Sequence, residues 1–435
     1  MKQFAFIFIL SLFNIIVVFS QERDIYYLTG FPAQEEADNE TSRWVRFIEE
    51  HGTRTSINPI SFGYQNSLGL VAASTDAATY MTGENPINEA VGIGSSFGGT
   101  VLRQIDAFSG NSPFGGFITL GAPNQGAPIA NMVIDGSILT TITGWIGDLS
   151  AGPIAEIFSW PLFTIEELVV EGFIPNLLGN IPIGESNLGN FISNPPASII
   201  DMSPGSTALN NINNYNSSLS SVQITTEEDE QGLYRLAGSS KSYEAPLGEF
   251  LDNKIVERAD KIAGVYSAFK KANYIASDVT NILGFSSLLG LSSGIYEHVG
   301  NEWKRGEDAL ETHIEMDWNS MIGATEITTT TTVVGPGCNL NPTELANCQY
   351  YTDGGLPQSC LDCEGASTYT YQEVTILASD AFIPVANQTF SGADVTLEVT
   401  GCNHMEMVNH PIVRNRFNAL FDGNIEDASF FISEE

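Results

Sequence analysis

One glycine-rich stretch, residues 91–99, constrains the fold of this chain more than any other. Its sequence is VGIGSSFGG, which contains the pattern G-x-S-x-G with Ser96 at the centre. The short apolar run before Ser96 predicts a buried strand, and residues 101–108 carry the apolar stripe of a helix. A sharp turn from strand to helix needs very small neighbours and projects the serine hydroxyl away from the sheet. The stretch therefore predicts a nucleophilic serine at a strand-to-helix turn.

The same pattern occurs again around Ser292, at residues 290–294. This second match follows a Leu- and Ser-rich stretch that lacks strand character. No second pair of small residues follows it that would let a helix pack closely. The context therefore favours Ser96 as the nucleophile and an accidental match at Ser292.

Strands and helices alternate along much of the chain. Strand patterns lie at 24–31, 56–62, 90–93 and 117–123, and helical patterns lie at 44–48, 68–81 and 101–108. Further strands are predicted at 233–238, 327–334, 372–377 and 395–399, with a closing helix at 412–421. This alternation predicts an α/β fold with a mostly parallel sheet and helices on both faces. Functional side chains then lie beyond the carboxyl ends of the strands, where Ser96 is placed.

Changes in composition divide the chain into consecutive segments. They are a signal peptide at 1–20, the first half of the core at 21–129, an apolar helical cap insertion at 130–200, a continuation of the core at 201–245, a second helical insertion at 246–325, a cysteine-rich loop at 326–370 and the C-terminal part of the core at 371–435. The cap is a wall for an apolar substrate, a helical subdomain with a core of its own, or both.

The N-terminal segment predicts export. Lys2 precedes two apolar runs, small residues that suit a signal peptidase lie near Ser20, and charged residues follow at once. The mature protein is expected to be soluble, secreted or periplasmic, and without a stable membrane anchor. Its net charge of −35, from 52 acidic and 17 basic residues, opposes binding to nucleic acid and anionic membranes.

The five cysteines all lie in the last quarter of the chain. They are Cys338, Cys348, Cys360, Cys363 and Cys402. An exported protein is expected to form disulfides, and an odd number of cysteines leaves one thiol free. The spacing C-x9-C-x11-C-x2-C has a C-x2-C pair only in its second half, which disfavours a zinc site. The sequence leaves the disulfide pairing open.

A serine nucleophile needs a base that takes its proton. His404 follows a predicted strand and lies beyond its carboxyl end, so it is the favoured base. His410 is the runner-up, but its place at the start of the closing helix suits a capping or packing role. The other histidines are His51, at the end of a predicted surface helix, and His298 and His313, in the second insertion.

The base in turn needs an acid that orients it. Asp380 follows a predicted apolar strand, and Asp353 is a second candidate that resembles a turn residue among the cysteines. The order Ser96, Asp380, His404 is the one expected for a serine at a strand-to-helix turn. Two backbone N–H groups are also needed for the developing oxyanion, and they are expected at Phe97 and Phe31.

These residues together resemble the lipase and carboxylesterase branch of the α/β-hydrolases, of the secreted bacterial type. The matching segments are 92–99 with Arg103 beyond it (G-H-S-x-G-G in the family), 118–126 (T-x-G-T-P-H-x-G), 201–209 (L-x-P-G-S-x-x-L), and the acid and histidine loops at 379–384 and 401–404. The match covers roughly half of the chain and leaves out both insertions. It implies an α/β-hydrolase fold with helical cap insertions.

The resemblance also implies an activity. It implies ester hydrolysis through an acyl-enzyme, a small-molecule or lipid ester as substrate, and a role in lipid metabolism. It implies no cofactor except a structural calcium ion of the kind that some lipases bind, and at most transient contact with a lipid interface. Acyl transfer, thioester cleavage and amide cleavage use the same groups and stay open.

Three residues depart from the family pattern. Ser95 and Thr29 stand where histidine is usual, and Ala381 stands where glycine is usual. None of these changes removes a reacting group. They do make a non-catalytic surface or binding protein with the same fold the alternative from another class.

Overall fold

The computed structural model describes residues 23–30, 44–54, 57–83, 90–108, 112–138, 140–141, 194–229, 232, 316–334 and 367–425. The signal peptide, most of the cap and of the second insertion, Ser292 and Asp353 lie outside the described residues. So do Phe31, His298, His313 and the four cysteines from Cys338 to Cys363.

The described strands and helices follow each other in the predicted alternation. The strands are β1 (Arg23–Leu28), β2 (Ile57–Ser61), β3 (Val91–Ser95), β4 (Gly116–Leu120), β5 (Ser220–Glu227), β6 (Thr325–Val334), β7 (Ser367–Ile376) and β8 (Val395–Thr400). The helices are α1 (Val45–His51), α2 (Leu70–Gly83), α3 (Phe97–Phe108), α4 (Ile129–Asp135), α5 (Ala197–Asp201), α6 (Thr207–Asn213), α7 (Met316–Met321), α8 (Val385–Gln388) and α9 (Pro411–Phe421).

Six of these strands form one sheet in the order β2-β1-β3-β4-β5-β8. Every neighbouring pair in it is parallel. The predicted α/β fold with a mostly parallel sheet is therefore confirmed. The predicted strands that became β1 to β4 and β8, and the closing helix, are each placed within about three residues of their observed ends.

Two apolar cores cover the two faces of the sheet. Successive side chains of a strand point to opposite faces, so Tyr26 and Leu28 pack in the core that includes residues of α2 and α3. Ile25 and Tyr27 pack in the other core, with residues of α1 and α9. All residues of β3 and β4 are buried, as is typical of a parallel sheet covered on both faces.

The strand that follows β4 in the sheet was not predicted from the sequence. The strand that pairs with β4 is β5, at Ser220–Glu227, and residues 233–238 lie outside the described residues. The sequence of β5, SSVQITTE, is polar at most positions although the strand is largely buried. Buried polar side chains such as Gln223 and Thr226 are tolerated because each makes hydrogen bonds. A search for apolar runs does not find such a strand.

The predicted strand at 372–377 forms, but it lies outside the main sheet. It belongs to β7, which pairs antiparallel with β6 along ten residue pairs from Thr325–Ile376 to Val334–Ser367. The expected threonine-rich strand at 327–334 is the partner, β6. Ile327 and Ile376 are 60% and 58% exposed, so the apolar residues that suggested a buried strand face solvent. Within the described ranges, no helix is both long and apolar enough to cross a membrane.

Candidate active site

Ser96 lies in the turn between β3 and α3. It has a φ of 51°, a left-handed conformation that few residues other than glycine adopt. A Cβ at Gly94 would lie 2.4 Å from the backbone of Gly98, and a Cβ at Gly98 would lie 2.6 Å from the carbonyl oxygen of Leu28. Only glycine fits at both positions. The glycines that suggested this turn in the sequence are thus explained by close backbone contact.

The turn lies at the point where the strand order reverses. The chain runs from β1 to β2 on one side, then returns to β3 on the other side of β1. Loops that follow adjacent strands diverge at such a point and leave a crevice at the carboxyl edge of the sheet. Ser96, after β3, and Gly30, after β1, lie at this crevice.

His404 lies within hydrogen-bond distance of the serine. Its Nε2 is 2.9 Å from Ser96 Oγ, although the two residues are 308 positions apart in the chain. His404 follows β8 and is 8% exposed. Its backbone N–H donates to the carbonyl of Asp380 (2.8 Å), which joins the histidine loop to the acid loop. The ring of Phe382 lies 5.1 Å from the imidazole, between centroids.

Asp380 is fully buried and lies 2.7 Å from His404 Nδ1 through its Oδ2. The other carboxylate oxygen, Oδ1, accepts hydrogen bonds from the backbone N–H groups of Phe382 (3.0 Å) and Ile383 (2.6 Å). Ala381, between them, has a φ of 67°. The indole N–H of Trp318 donates to the Ala381 carbonyl (2.7 Å) and fixes this tight turn from α7.

This geometry defines the proton positions. A buried carboxylate at Nδ1 accepts its N–H, which leaves the Nε2 lone pair to accept the Ser96 hydroxyl proton. The arrangement can therefore take a proton from Ser96 and stabilise the imidazolium that results. The structure thus brings together the three side chains that the sequence suggested, Ser96, Asp380 and His404.

The predicted oxyanion donors are described in part. Phe97 begins α3, where the first backbone N–H groups have no partner within the helix. Phe31 lies outside the described residues, but the preceding Gly30 is placed against Ser96. A Cβ at Gly30 would lie 2.6 Å from Ser96 Cβ and 3.0 Å from its Oγ. Glycine therefore lets the backbone after β1 approach the serine.

Two buried side chains hold the backbone after β1. Tyr64 donates a hydrogen bond to the carbonyl of Thr29, and Asn66 donates one to the carbonyl of Gly30 (3.2 Å). Both come from the loop between β2 and α2. The carbonyls of this segment are thus turned towards the protein interior.

The two alternative histidines of the described chain belong to helix ends, His51 to α1 and His410 to α9. His410 is the N-cap residue of α9, as expected for a structural role. The expected surface position of His51 is wrong, since it is 1% exposed. Burial, and secondly the charge of Arg54, lower the pKa of His51 from 6.5 to about 3. The neutral ring forms a hydrogen bond with the Tyr27 hydroxyl through Nδ1 and packs among aromatic side chains.

Two polar residues of this site were missed by the sequence reasoning. The hydroxyl of Thr226 donates to Asp380 Oδ2 (3.3 Å), and the carboxamide of Gln388 joins Thr226 to the acid loop. Thr226 is in the unrecognised strand β5. Gln388 is in a four-residue helix, and no pattern in its sequence neighbours distinguishes it.

The cysteines contribute one buried thiol to the described chain. Cys402 is fully buried, two residues before His404, and its Sγ lies 3.7 Å from the carbonyl oxygen of Asn403. In the described ranges, no group of three or more His, Cys, Asp or Glu residues is arranged to hold a metal ion.

The sequence matches no protein-family model and no curated protein. Solved structures that it resembles include the Bacillus licheniformis lipase BlEst2 in mature form (10% identity, TM-score 0.31, 48% of this chain and 66% of the lipase). Another is an extracellular α/β-hydrolase from a Paenibacillus species (11% identity, TM-score 0.26, 47% of this chain and 77% of the hydrolase). A third is a thermophilic esterase from Thermogutta terrifontis (15% identity, TM-score 0.28, 51% of this chain and 78% of the esterase).

Similarity at this level says nothing about activity. The fold assignment depends on the chain's own features, namely the parallel strand order and the serine turn that follows β3. These features are those of the α/β-hydrolase fold.

Proposed function

We propose that this protein is an exported serine hydrolase that cleaves carboxylic esters. One observation supports the proposal above all others. The Ser96 hydroxyl, the His404 imidazole and the Asp380 carboxylate form a continuous hydrogen-bonded chain of 2.9 Å and 2.7 Å. This is the geometry that a serine needs to become a nucleophile.

The reaction follows from the proton positions. Ser96 Oγ attacks the ester carbonyl carbon while His404 Nε2 takes its proton. His404 then gives this proton to the alcohol oxygen as the carbon–oxygen bond breaks, which leaves an acyl group on Ser96. Water attacks the acyl group, again with loss of a proton to His404, and the acid leaves as the proton returns to Ser96.

The oxyanion is held by the backbone N–H of Phe97, with Phe31 as the second donor. The position of Gly30 against Ser96 supports this assignment because Phe31 is the next residue in the chain. Loss of one such donor typically lowers kcat by about a hundredfold or more.

The three departures from the family pattern affect the backbone rather than the reacting groups. Thr29 contributes its carbonyl to Tyr64, Ser95 is 3% exposed in β3, and Ala381 adopts the left-handed conformation that glycine favours. The hydrogen-bonded chain of Ser96, His404 and Asp380 persists despite them. This supports an enzyme over a binding protein that has lost its activity.

The substrate proposed is an ester with an acyl chain, hydrolysed outside the cytoplasm. The apolar composition of the predicted cap and the signal-peptide pattern support these two parts. The proposal includes no cofactor and only brief contact with a lipid interface. A series of nitrophenyl esters tests the acyl chain, and a strong preference for acetate over octanoate would exclude it.

Replacement of the serine tests the activity itself. Ser96→Ala is expected to lower kcat for nitrophenyl esters by about 10⁶, because the nucleophile is lost. Ser203→Ala is a matched control, because the Ser203 hydroxyl donates a hydrogen bond to the nearby carbonyl of Ile200 rather than to a residue of the active site. Near-normal turnover by Ser96→Ala would contradict the proposal. Faster turnover of thioesters or anilides by the natural protein would assign it to another bond type.

A further inference from the structure

Gln388 is a buried residue that packs against the acid loop. It is 1% exposed and ends the short helix α8. Its side chain lies between the end of β5 and the turn that carries Asp380. A carboxamide has one acceptor oxygen and two N–H donors, and burying it is costly unless these are paired.

All three groups of this carboxamide are hydrogen-bonded to backbone. Oε1 accepts from the N–H of Thr226 (2.8 Å), and Nε2 donates to the carbonyls of Thr226 (2.9 Å) and Ile383 (3.1 Å). The Gln388 side chain thus pairs with both the N–H and the carbonyl of Thr226, as the backbone of a neighbouring strand would. Towards Ile383 it binds the acid loop itself.

The two residues that Gln388 joins both donate hydrogen bonds to the Asp380 carboxylate. The backbone N–H of Ile383 donates to Asp380 Oδ1 (2.6 Å), and the hydroxyl of Thr226 donates to Oδ2 (3.3 Å). A shift of either residue would move the oxygen that accepts the His404 Nδ1 proton. Gln388 is thus connected to each carboxylate oxygen through one residue, Ile383 for Oδ1 and Thr226 for Oδ2.

We propose that Gln388 is a positioning residue that sets the Asp380 carboxylate against His404. This role depends on the proposed hydrolase function, in which Asp380 orients the base. Gln388 acts through Thr226 and Ile383, and it makes no contact with the substrate.

A second set of contacts anchors Gln388 to the helix that follows the nucleophile. Asn124 is fully buried and donates a hydrogen bond to the Gln388 carbonyl. Arg103 of α3 donates to Asn124 Oδ1 (3.1 Å) and to the carbonyl of Ile212 (3.4 Å). Burial lowers the pKa of Arg103 to about 10, so it stays a cation at neutral pH. The chain Arg103–Asn124–Gln388 thus connects α3 to the acid loop.

The test compares two buried glutamines that both join β5 to the segment at 385–390. Gln388→Glu replaces the N–H donors of the amide with a carboxyl group, which lacks at least one of them in any protonation state. Gln223→Glu is the matched control, because Gln223 binds Phe390 N–H (2.8 Å) and Thr396 Oγ1 (2.6 Å) but not the acid loop. Gln388→Met, a neutral side chain of similar length, serves if the first variant folds poorly.

The measurement is kcat and KM for a nitrophenyl ester, per folded molecule as determined by near-UV circular dichroism. Gln388→Glu and Gln388→Met are expected to lower kcat by about ten- to a hundredfold with little change in KM, since a displacement near 1 Å can cost that much. Gln223→Glu is expected to keep kcat within about twofold of the natural protein. Equal kcat values per folded molecule in all variants would overturn the positioning role.

Combination with Asp380→Ala separates this role from the proposed function. If Gln388 acts through Asp380, Asp380→Ala and the double variant with Gln388→Glu have the same kcat. A further loss in the double variant, as large as in Gln388→Glu alone, would overturn the positioning role. An Asp380→Ala variant with normal kcat would instead contradict the proposed function.

Discussion

Ser96 and Asp380 lie at the same edge of the sheet, but their backbones are held there by different kinds of contact. The turn at Ser96 depends on close backbone contact between Gly94, Gly98 and the end of β1, where a single methyl group has no room. The acid loop depends on hydrogen bonds from side chains far along the chain. Thr226 is 154 positions from Asp380, and Asn124 is 264 positions from Gln388.

This difference predicts different responses to substitution. Steric contact between backbones cannot adjust, so a change at the serine turn should affect folding or activity strongly. A hydrogen-bonded network has several members, so the loss of one should have a graded effect.

Gly94→Ala is expected to have the largest effect. Its Cβ would lie 2.4 Å from both the carbonyl carbon and the oxygen of Gly98, and backbone atoms must move to make room. Urea unfolding should show a loss of about 3 kcal/mol or more in the free energy of unfolding. Gly205→Ala is the control, because Gly205 has a φ of 75° but an added Cβ there would meet no atom within 4 Å. The free energy of unfolding should fall by only about 1 kcal/mol in this variant. Equal losses would show that steric contact does not define the turn.

Gly30→Ala is expected to fold but to lose activity. A Cβ there would lie 3.0 Å from Ser96 Oγ and 2.6 Å from its Cβ, which forces the hydroxyl away from His404. Since a misplacement near 1 Å can cost about a hundredfold, kcat/KM for a nitrophenyl ester should fall at least that much. The melting temperature, measured in parallel, should change far less than that of Gly94→Ala. Normal turnover by Gly30→Ala would show that Gly30 does not lie against Ser96 as the structure has it.

Thr226→Val is expected to have a moderate effect on the acid loop. It removes the hydroxyl that donates to Asp380 Oδ2, a bond of about 1 kcal/mol, which corresponds to about a fivefold decrease in kcat. Thr100→Val is the matched control on α3. The Thr100 hydroxyl is buried without a hydrogen-bond partner among the described residues, so valine should be tolerated there. A larger decrease in kcat for Thr100→Val than for Thr226→Val would show that the hydrogen bond from Thr226 to Asp380 does not support the acid loop.

Ala381→Gly is expected to have the smallest effect, and a favourable one. Ala381 has a φ of 67°, which strains alanine but not glycine. After the greater freedom of glycine in the unfolded chain is subtracted, the free energy of unfolding should rise by about 0.5 kcal/mol. Ala386→Gly, at an exposed position in α8, should lower it by about as much. Thermal unfolding measures both, and a loss for Ala381→Gly would argue against the observed turn.

The same contrast explains which parts of the site could be predicted from the sequence. The turn at Ser96 has a local signal, because its glycines are consecutive and follow a short apolar run. His404 was found because it follows β8, whose pattern is also local. Asp380 binds His404 as the sequence predicts. The strand before it, however, belongs to the β6–β7 hairpin rather than to the main sheet.

The residues that were missed have no local signal. β5 is polar, and its Gln223 and Thr226 are buried only because partners from distant segments bind them. Gln388 has the same dependence on distant partners. His51 was expected at the surface, but aromatic side chains from α1 and α9 enclose it in the folded protein. Such pairings become visible only once the fold brings the segments together.

The most direct test of the central claim is reaction of the folded natural protein with a fluorophosphonate probe, followed by mass spectrometry of its peptides. We expect one adduct, on the peptide that contains Ser96, and a strongly reduced labelling rate in His404→Ala. A folded protein that stays unlabelled, or that is labelled at Ser292 instead, would contradict the claim.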